Sequence, residues 1–424
     1  MNVTSRILNV NYHPNKKDHF VWVLVYVLMT FLSCVIPSAK SVFSYVGVPL
    51  IFAILFFSDD FKYLAFPVCL FESVWGNLIF GRIGILTVYL LFAFVYMVLK
   101  RELKFKFDYQ LVAVLILAFY CIYSYILEGG NDWIRIACYA FIIWFFYVNE
   151  EYSKKKLMYA ILASAIAMAV VLIFGLAGTE SFIEDGVIGY RSNGLGYSDP
   201  NFSSFVCCLG ACVAVCLPKF KYSKLISTVL VLVFALAILS SGSRGSTLVL
   251  LFILCIKWML TRGTIRKLLY VLLAIVVAFL LITYALPRLD FFEGAMSRLT
   301  TLFSASDAFA DSGRSSIAER YLEYFGNQNI FQMLFGGNIL ESERLLSSLG
   351  IIEATHNVYL DYLMVFGIFG SIVMLFIHGN RIIKLIKEKD VESQCIFLIK
   401  ISALTMGLSL AFFTKIIWWY LIFI

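Results

Sequence analysis

The chain has 424 residues, 61% of them hydrophobic and only 14% charged, with 34 Lys and Arg against 27 Asp and Glu for a net charge of +7. Soluble domains run nearer about 25% charged, so this composition cannot cover a water-facing surface, and 40 Phe, 24 Tyr and 7 Trp exclude disorder. With only 7 Pro to interrupt helices, what is left is an all-α polytopic membrane protein, a single integral membrane domain over residues 1–424.

A helix needs about 20 apolar residues to cross about 30 Å of hydrocarbon. In chain order the candidate spans are Phe20–Pro37, Ser41–Phe57, Leu64–Trp75, Ile83–Leu99, Gln110–Leu127, Trp133–Val148, Met158–Leu176, Asn201–Leu217, Ile226–Ser240, Ser246–Leu260, Leu268–Ala285, His356–His378 and Ile396–Thr414. That makes about thirteen (12–14), with Leu64–Trp75 the weakest because it is short and runs into glycine-rich turn residues. Ile416–Ile424 is apolar but too short to span, and reads as a half-span or an interfacial tail. Phe20–Pro37 is followed by Lys40 without a small-residue cleavage site, so it reads as a retained first helix rather than a signal peptide.

Lys and Arg collect on the cytoplasmic side of short loops. With the N-terminus placed inside and the spans alternating, the inner segments hold 22 of the 34 basic residues, 17 Lys and 5 Arg. The other twelve reverse that ratio: Arg82, Arg135, Arg191, Arg244, Arg288, Arg298, Arg314, Arg320 and Arg344, with Lys40, Lys400 and Lys415. Lys serves as a generic topology charge, whereas the planar guanidinium fork suits bidentate phosphate or carboxylate. The outer face is therefore expected to recognise an anion. All ten Cys fall inside or at the edges of spans, so a disulfide framework is not expected. Cys208, Cys212 and Cys216 share a helical face, but without a neighbouring His or carboxylate they read as small apolar packing rather than a metal cluster.

Four outer pieces interrupt the hydrophobic pattern. The smaller loop, 178–200, contains Gly189-Tyr190-Arg191-Ser192-Asn193-Gly194 and leads into Asp199-Pro200-Asn201. The larger, 287–354, is the one place where substantial extramembrane structure fits, with an amphipathic helix over Ser315–Phe325 started by Asp311 or Ser312. Ser240-Ser241-Gly242-Ser243-Arg244-Gly245-Ser246 sits between two spans, either an anion nest built on a helix start or a tight membrane turn with an anchoring Arg. Finally, Thr355-His356-Asn357-Val358-Tyr359-Leu360 opens a span and carries the one outer-face histidine of four. Gly367 and Gly370 follow on one helical face, spaced for close approach, and Gly336-Gly337-Asn338 reads as a turn.

Together these pieces resemble the O-antigen ligase and Wzy-type polymerase superfamily of bacterial membrane glycosyltransferases. The residues carrying the resemblance are Asp199-Pro200-Asn201, Ser243-Arg244-Gly245, Gly313-Arg314 followed by Phe335-Gly336-Gly337, and His356-Asn357-x-Tyr359-Leu360 with Gly367 and Gly370. It covers roughly residues 190–380; residues 1–180 match in hydropathy and span count only. It implies a GT-C-like helical fold in the bacterial inner membrane, with the N-terminus cytoplasmic and the active site periplasmic. The donor it implies is an undecaprenyl-diphosphate-linked oligosaccharide. Besides the lipid bilayer, the partners would be a chain-length regulator and a flippase of the same pathway; nothing points to nucleic acid.

The superfamily's Ser-Arg-Gly arginine falls on Arg244, its loop arginine on Arg314 and its histidine on His356, the three expected catalytic residues. Arg191, Arg320, Asn357, Ser243 and Asn201 are expected to bind the diphosphate or glycan. Departure of a diphosphate develops negative charge that fixed Arg donors stabilise, and a histidine that titrates near neutrality can take the acceptor's proton. Glu319 and Glu353 are fallback bases. No cofactor is expected, and no metal, because the first outer loop lacks a carboxylate and Asp59-Asp60 falls on the inner side. The favoured activity is a polymerase joining lipid-linked repeat units, by metal-independent inverting transfer. The alternatives are a ligase moving the glycan to lipid A core, and a lipid-oligosaccharide flippase. A flippase would need ionisable groups along a mid-membrane path, where only Glu72 and Lys400 occur.

Overall fold

The computed structural model describes residues 18–75, 77–79, 83–99, 107–128, 131–149, 153–184, 187–196, 199–218, 220–260, 314–336, 356–410 and 415–424. Within these, helices dominate, most of them apolar. They are α1 (Val21–Val35), α2 (Pro37–Phe56, with a π-helical stretch over Phe43–Gly47), α3 (Ala65–Leu70), α4 (Glu72–Trp75), α5 (Ile85–Leu99), α6 (Tyr109–Glu128), α7 (Asn131–Asn149), α8 (Lys154–Phe174), α9 (Pro200–Ala214), α10 (Ser223–Ser240), α11 (Arg244–Leu260), α12 (Arg314–Gly326), α13 (Ile330–Phe335), α14 (Val358–Lys387), α15 (Val391–Met406) and α16 (Ile416–Phe423).

Four of them, α2, α8, α10 and α14, are long and apolar enough to cross a membrane by length and composition, and several shorter apolar helices join them. The chain is a helical membrane protein. The expected span Leu268–Ala285 lies outside the described residues.

Two antiparallel hairpins, not anticipated from sequence, add to the helices: Asn77–Ile79 with Ile83–Gly84 (β1, β2), and Thr179–Glu184 with Val187–Ser192 (β3, β4). The second occupies most of what reads as a plain outer loop. Glu184 faces Val187 across it, so only two residues connect the strands.

Local sequence sets the helix boundaries. Ser153 accepts from the Lys156 N–H at the start of α8. Asp199 does the same from Asn201 at α9, where Pro200 takes the first helical position and needs no donor. Asn357 caps α14 and Asp390 caps α15. The heart of the bundle is α8 and α9; nearly every residue of α9 is buried, with the small residues Gly210, Ala211 and Cys212 allowing close packing. A Cβ at Gly210 would lie 2.6 Å from the Phe234 ring of α10.

The weak candidate Leu64–Trp75 is a broken segment, interior except around Glu72 and Ser73. A 3₁₀ turn over Asp59–Leu64 leads through α3 to α4, with residues 60–71 buried throughout. Because protein rather than lipid surrounds it, its interrupted backbone needs no unbroken helix.

The terminal segment Ile416–Ile424 is also no interfacial tail. Helix α16 is buried along its whole length, with Trp418 donating to Tyr362 (2.7 Å) in α14. Lys400 is a core residue as well: its Nζ donates to the carbonyls of Leu421 (2.9 Å) and Ile422 (2.6 Å).

Contacts sort the helix ends into two sets. At one end, Lys156 bridges Asp18 and Asp60, Lys154 pairs with Glu388 (2.7 Å), and Lys257 donates to Gln394 (3.2 Å). This gathers the start of α1, the Asp59 turn, the start of α8, the ends of α11 and α14 and the start of α15. At the other end lie the end of α8, the β3–β4 hairpin and the starts of α9, α11 and α14. The described basic residues expected on the inner side gather at the first end, and Arg244 and His356 stand at the second.

Candidate functional site: three helix starts on one turn

The second end is organised around the turn Gly407–Leu410 that closes α15. Helix α11 begins beside it: Gly245 packs on Ser409, whose Oγ lies 3.0 Å from where a Cβ would stand, and Ser246 reaches the Met406 sulfur (3.8 Å). Helix α14 begins on the same turn. Val358 N–H donates to Gly407 O (2.8 Å) and Tyr359 OH to Leu404 O (2.6 Å). Helix α9 joins through a hydroxyl pair, Ser204 with Ser246 (2.7 Å), and through the Cys208 thiol donating to Ser246 O (3.4 Å). Three helix N-termini, carrying Asn201, Arg244 and His356-Asn357, are thus fastened to one another.

A helix N-terminus holds roughly half a positive charge. First-turn N–H groups are taken by caps here, Asp199 at α9, Ser243 at α11 and Asn357 at α14, so what these starts add for an anion is the helix dipoles and the Arg244 guanidinium, the first residue of α11. The hairpin reaches the same place: Gly194, just after β4, fits against Ser203 of α9 so closely that a Cβ would overlap its hydroxyl.

The serines of Ser240–Ser246 face inward. Ser240 and Ser241 return their hydroxyls to Ala237 O and Ile238 O. Ser243 accepts from Ser246 N–H (3.3 Å) and donates to Ser246 Oγ (3.1 Å), capping α11. All are buried, so this segment offers a ligand Arg244 and the helix start rather than a rim of hydroxyls. Asn357 is similarly engaged, its Oδ1 accepting from Tyr359 N–H (2.9 Å) and Leu360 N–H (3.3 Å).

His356 stands just before that cap with φ of 49°, the one non-glycine with positive φ among the described residues. Such a conformation costs roughly 1–3 kcal/mol and persists where surrounding structure imposes it. Here the imposing elements are the Asn357 cap and the Val358–Gly407 bond on its C-terminal side.

The other expected residues fall elsewhere or outside the described side chains. Arg191 lies on β4 opposite Glu180; its side chain, like that of Arg314 at the start of α12, lies outside the described residues, as do Glu353 and Asp311-Ser312. Arg320 is exposed on α12 beside Glu319 and Glu323. That helix packs Ile317, Tyr321 and Phe325 around Met364 of α14, about two turns from His356. Gly313 and Gly337 are likewise outside the described residues.

Among the described residues, no three His, Cys, Asp or Glu side chains come together to hold a metal ion. Cys208 and Cys212 of α9 and Cys216 just after it make separate hydrogen bonds, with Ser246, Ser402 and Lys257.

Residues 204–375 match the family model described as O-antigen ligase. That stretch is 172 of the chain's 424 residues. No curated protein matches the chain. The matched stretch contains Ser243, Arg244, Arg314, Arg320, His356 and Asn357, whereas Asn201 and Arg191 precede it. The turn that the starts of α11 and α14 rest on, Gly407–Leu410, lies beyond it, and sequence reading passes over it as the middle of a span. The signal there is the close grouping of Thr405, Gly407 and Ser409, helix-weakening residues inside an apolar run.

Proposed function

We propose that the protein is a membrane glycosyltransferase acting on a glycan carried by undecaprenyl diphosphate, and that it joins repeat units as a polymerase. The observation that carries this reading is the fastening of three helix N-termini, with Arg244 and His356 on two of them, inside and beside the stretch that matches the O-antigen ligase family model. An acceptor hydroxyl attacks the anomeric carbon of the donor sugar while the bond from that carbon to the diphosphate oxygen breaks. The electron pair leaves with undecaprenyl diphosphate, and the helix starts and Arg244, with Arg314 from α12, stabilise the charge that develops there. His356 takes the hydroxyl proton. Attack from the side opposite the diphosphate inverts the anomeric centre. Arg191 on β4 and Arg320 on α12 bind flanking parts of the donor with Asn201, while Ser243 and Asn357 hold the helix starts in place. The site faces the periplasm in this reading, with the Lys-rich end in the cytoplasm.

A second reading, transfer of the finished glycan to lipid A core, is favoured by the description of the matching family itself. One experiment tests both. Deleting the gene and running the surface glycolipid on a gel leaves core capped by a single repeat unit if a polymerase is lost, and bare core if a ligase is lost. Restoration of long chains by Arg244→Ala, Arg314→Ala and His356→Ala variants, all inserted in the membrane, would overturn the site assignment.

A further inference from the structure

We propose that helix α13, Ile330–Phe335, within what reads from sequence as an extramembrane loop, lies in the hydrocarbon of the leaflet nearer His356 and is covered there by lipid acyl chains. The inference is independent of the chemistry proposed above.

Its depth follows from where it touches α14. The charged end of α14 begins at Arg381, and from Ile368 to Asn380 the helix has no Asp, Glu, Lys or Arg. Gly367 is about 20 Å along the helix from Arg381, at about 1.5 Å per residue. With about 30 Å of hydrocarbon to cross, Gly367 lies about 10 Å inside the opposite boundary.

Helix α13 ends against that point. A Cβ at Gly336 would sit 2.7 Å from Val365 C and 2.9 Å from Gly367 N, and one at Gly367 would lie 2.6 Å from Leu334 C. Both glycines have positive φ, 89° and 63°, and Gly367 breaks the α14 helix there. The two backbones therefore meet directly, and α13 is fixed at the depth of Gly367.

Its surface suits hydrocarbon. Ile330 is 77% exposed, Phe331 67% and Phe335 45% within the protein alone, and the segment Ile330–Phe335 contains no charged residue. Phe331 packs on Phe335 (ring centroids 4.9 Å apart) and Phe335 on Phe369 of α14 (5.5 Å). Phe369 belongs to a face with Ile372 and Phe376, also exposed, which a spanning helix turns to lipid. The apolar surface of α13 is thus continuous with the lipid-facing surface of α14.

Asn329 and Gln332 match one another within the piece, while Gln328 Oε1 before it is buried without a hydrogen-bond partner. Asn329 Oδ1 accepts from Gln332 N–H (2.9 Å), Asn329 Nδ2 donates to Gln332 Oε1 (2.8 Å), and Gly336 N–H donates to Gln332 O (2.7 Å), as an irregular segment at membrane depth requires. Helix α12, before the bend, differs: Glu319, Arg320 and Glu323 are exposed on the face it turns away from Met364.

The test uses the full chain in nanodiscs of phosphatidylethanolamine and phosphatidylglycerol. Trifluoromethyl-phenylalanine is placed at position 331 or 335, near-isosteric replacements, with position 323 as the aqueous control. Dissolved oxygen, concentrated in hydrocarbon, should relax the fluorine signal at 331 and 335 more than at 323. A water-soluble gadolinium chelate should broaden 323 and spare the other two. Gadolinium broadening at 331 and 335 equal to that at 323 would overturn the proposal, and two sites guard against a label that disturbs one of them.

Discussion

His356 combines two properties that one substitution can separate. Its backbone is in the left-handed region, which Asn tolerates better than most residues, and its ring is the proposed proton acceptor. His356→Asn should therefore insert and unfold like the wild type while losing about 10²–10⁴-fold in kcat. A loss of membrane insertion together with activity would instead assign His356 to the fold alone. Ser243 gives the opposite expectation. Its hydroxyl caps α11 and is buried, so Ser243→Ala should cost about 1 kcal/mol of stability, read as a lower melting temperature in detergent. At temperatures where the variant is folded, its donor KM should stay near the wild-type value; a large rise in KM would show the hydroxyl binding donor directly. The residue types at these positions are legible in the sequence, but whether a Ser faces a ligand or a helix end is not, because both uses put it at the start of a helix.

At the scale of elements, what positions Arg244 and His356 is the turn after α15 rather than either motif. Gly407 has ordinary helical backbone angles, φ −57° and ψ −21°, so adding a methyl group there tests packing without backbone strain. A Cβ would stand 2.8 Å from Val358 Cγ1 and 3.3 Å from the Trp418 ring, pushing the start of α14 away from α11. Gly407→Ala should lower kcat more than it raises donor KM, because bound donor remains but the base is displaced from it. Val358→Ala removes the opposing methyl, so the double variant should recover most of the lost activity. Additive losses in that cycle would make Gly407 a stability residue and nothing more. Helix positions themselves were largely legible, since apolar runs about as long as a span match α1, α6, α8 and α10 within a few residues. Hairpin β3–β4 was also signalled, by Asp185-Gly186 between Thr179–Glu184 and Val187–Ser192, a dipeptide favoured in two-residue hairpins. Hydropathy alone makes that stretch a loop, whereas its turn chemistry marks a hairpin. The 407–410 turn carries only the weak grouping of Thr405, Gly407 and Ser409, because its importance comes from what docks on it, Val358 about 50 residues away in sequence and Gly245 farther still.

For the whole molecule, Lys154, Lys156 and Lys257 gather at the end away from Arg244 and His356. The Lys-rich end is tied by Lys154, which donates to Glu388 and Ser393. That Lys154 bond, first, and the Ser393 hydroxyl hold the Glu388 carboxyl below its usual value. A carboxyl with a depressed folded-state pKa contributes stability above its unfolded value, about 4.3, and loses it as pH falls through the folded value. Acid unfolding of Glu388→Gln should therefore show a shallower loss of stability below about pH 4.3 than the wild type; parallel curves would mean that the pair contributes nothing. The interior places a different demand on Lys400. A helix end leaves its last carbonyls without intrahelical donors, and Lys400 supplies donors to two of them, Leu421 and Ile422, while Arg381 donates to Ile424 O (2.8 Å). Replacing a buried ion pair with apolar groups is often neutral, because both charges go together. Here the acceptors are backbone carbonyls and stay behind. Lys400→Met should accordingly cost about 1–3 kcal/mol for the unsatisfied acceptors, seen as a lower melting temperature and faster proteolysis within 415–424. An unchanged melting temperature would mean that the end of α16 finds other donors, and that the buried lysine serves something besides holding this helix.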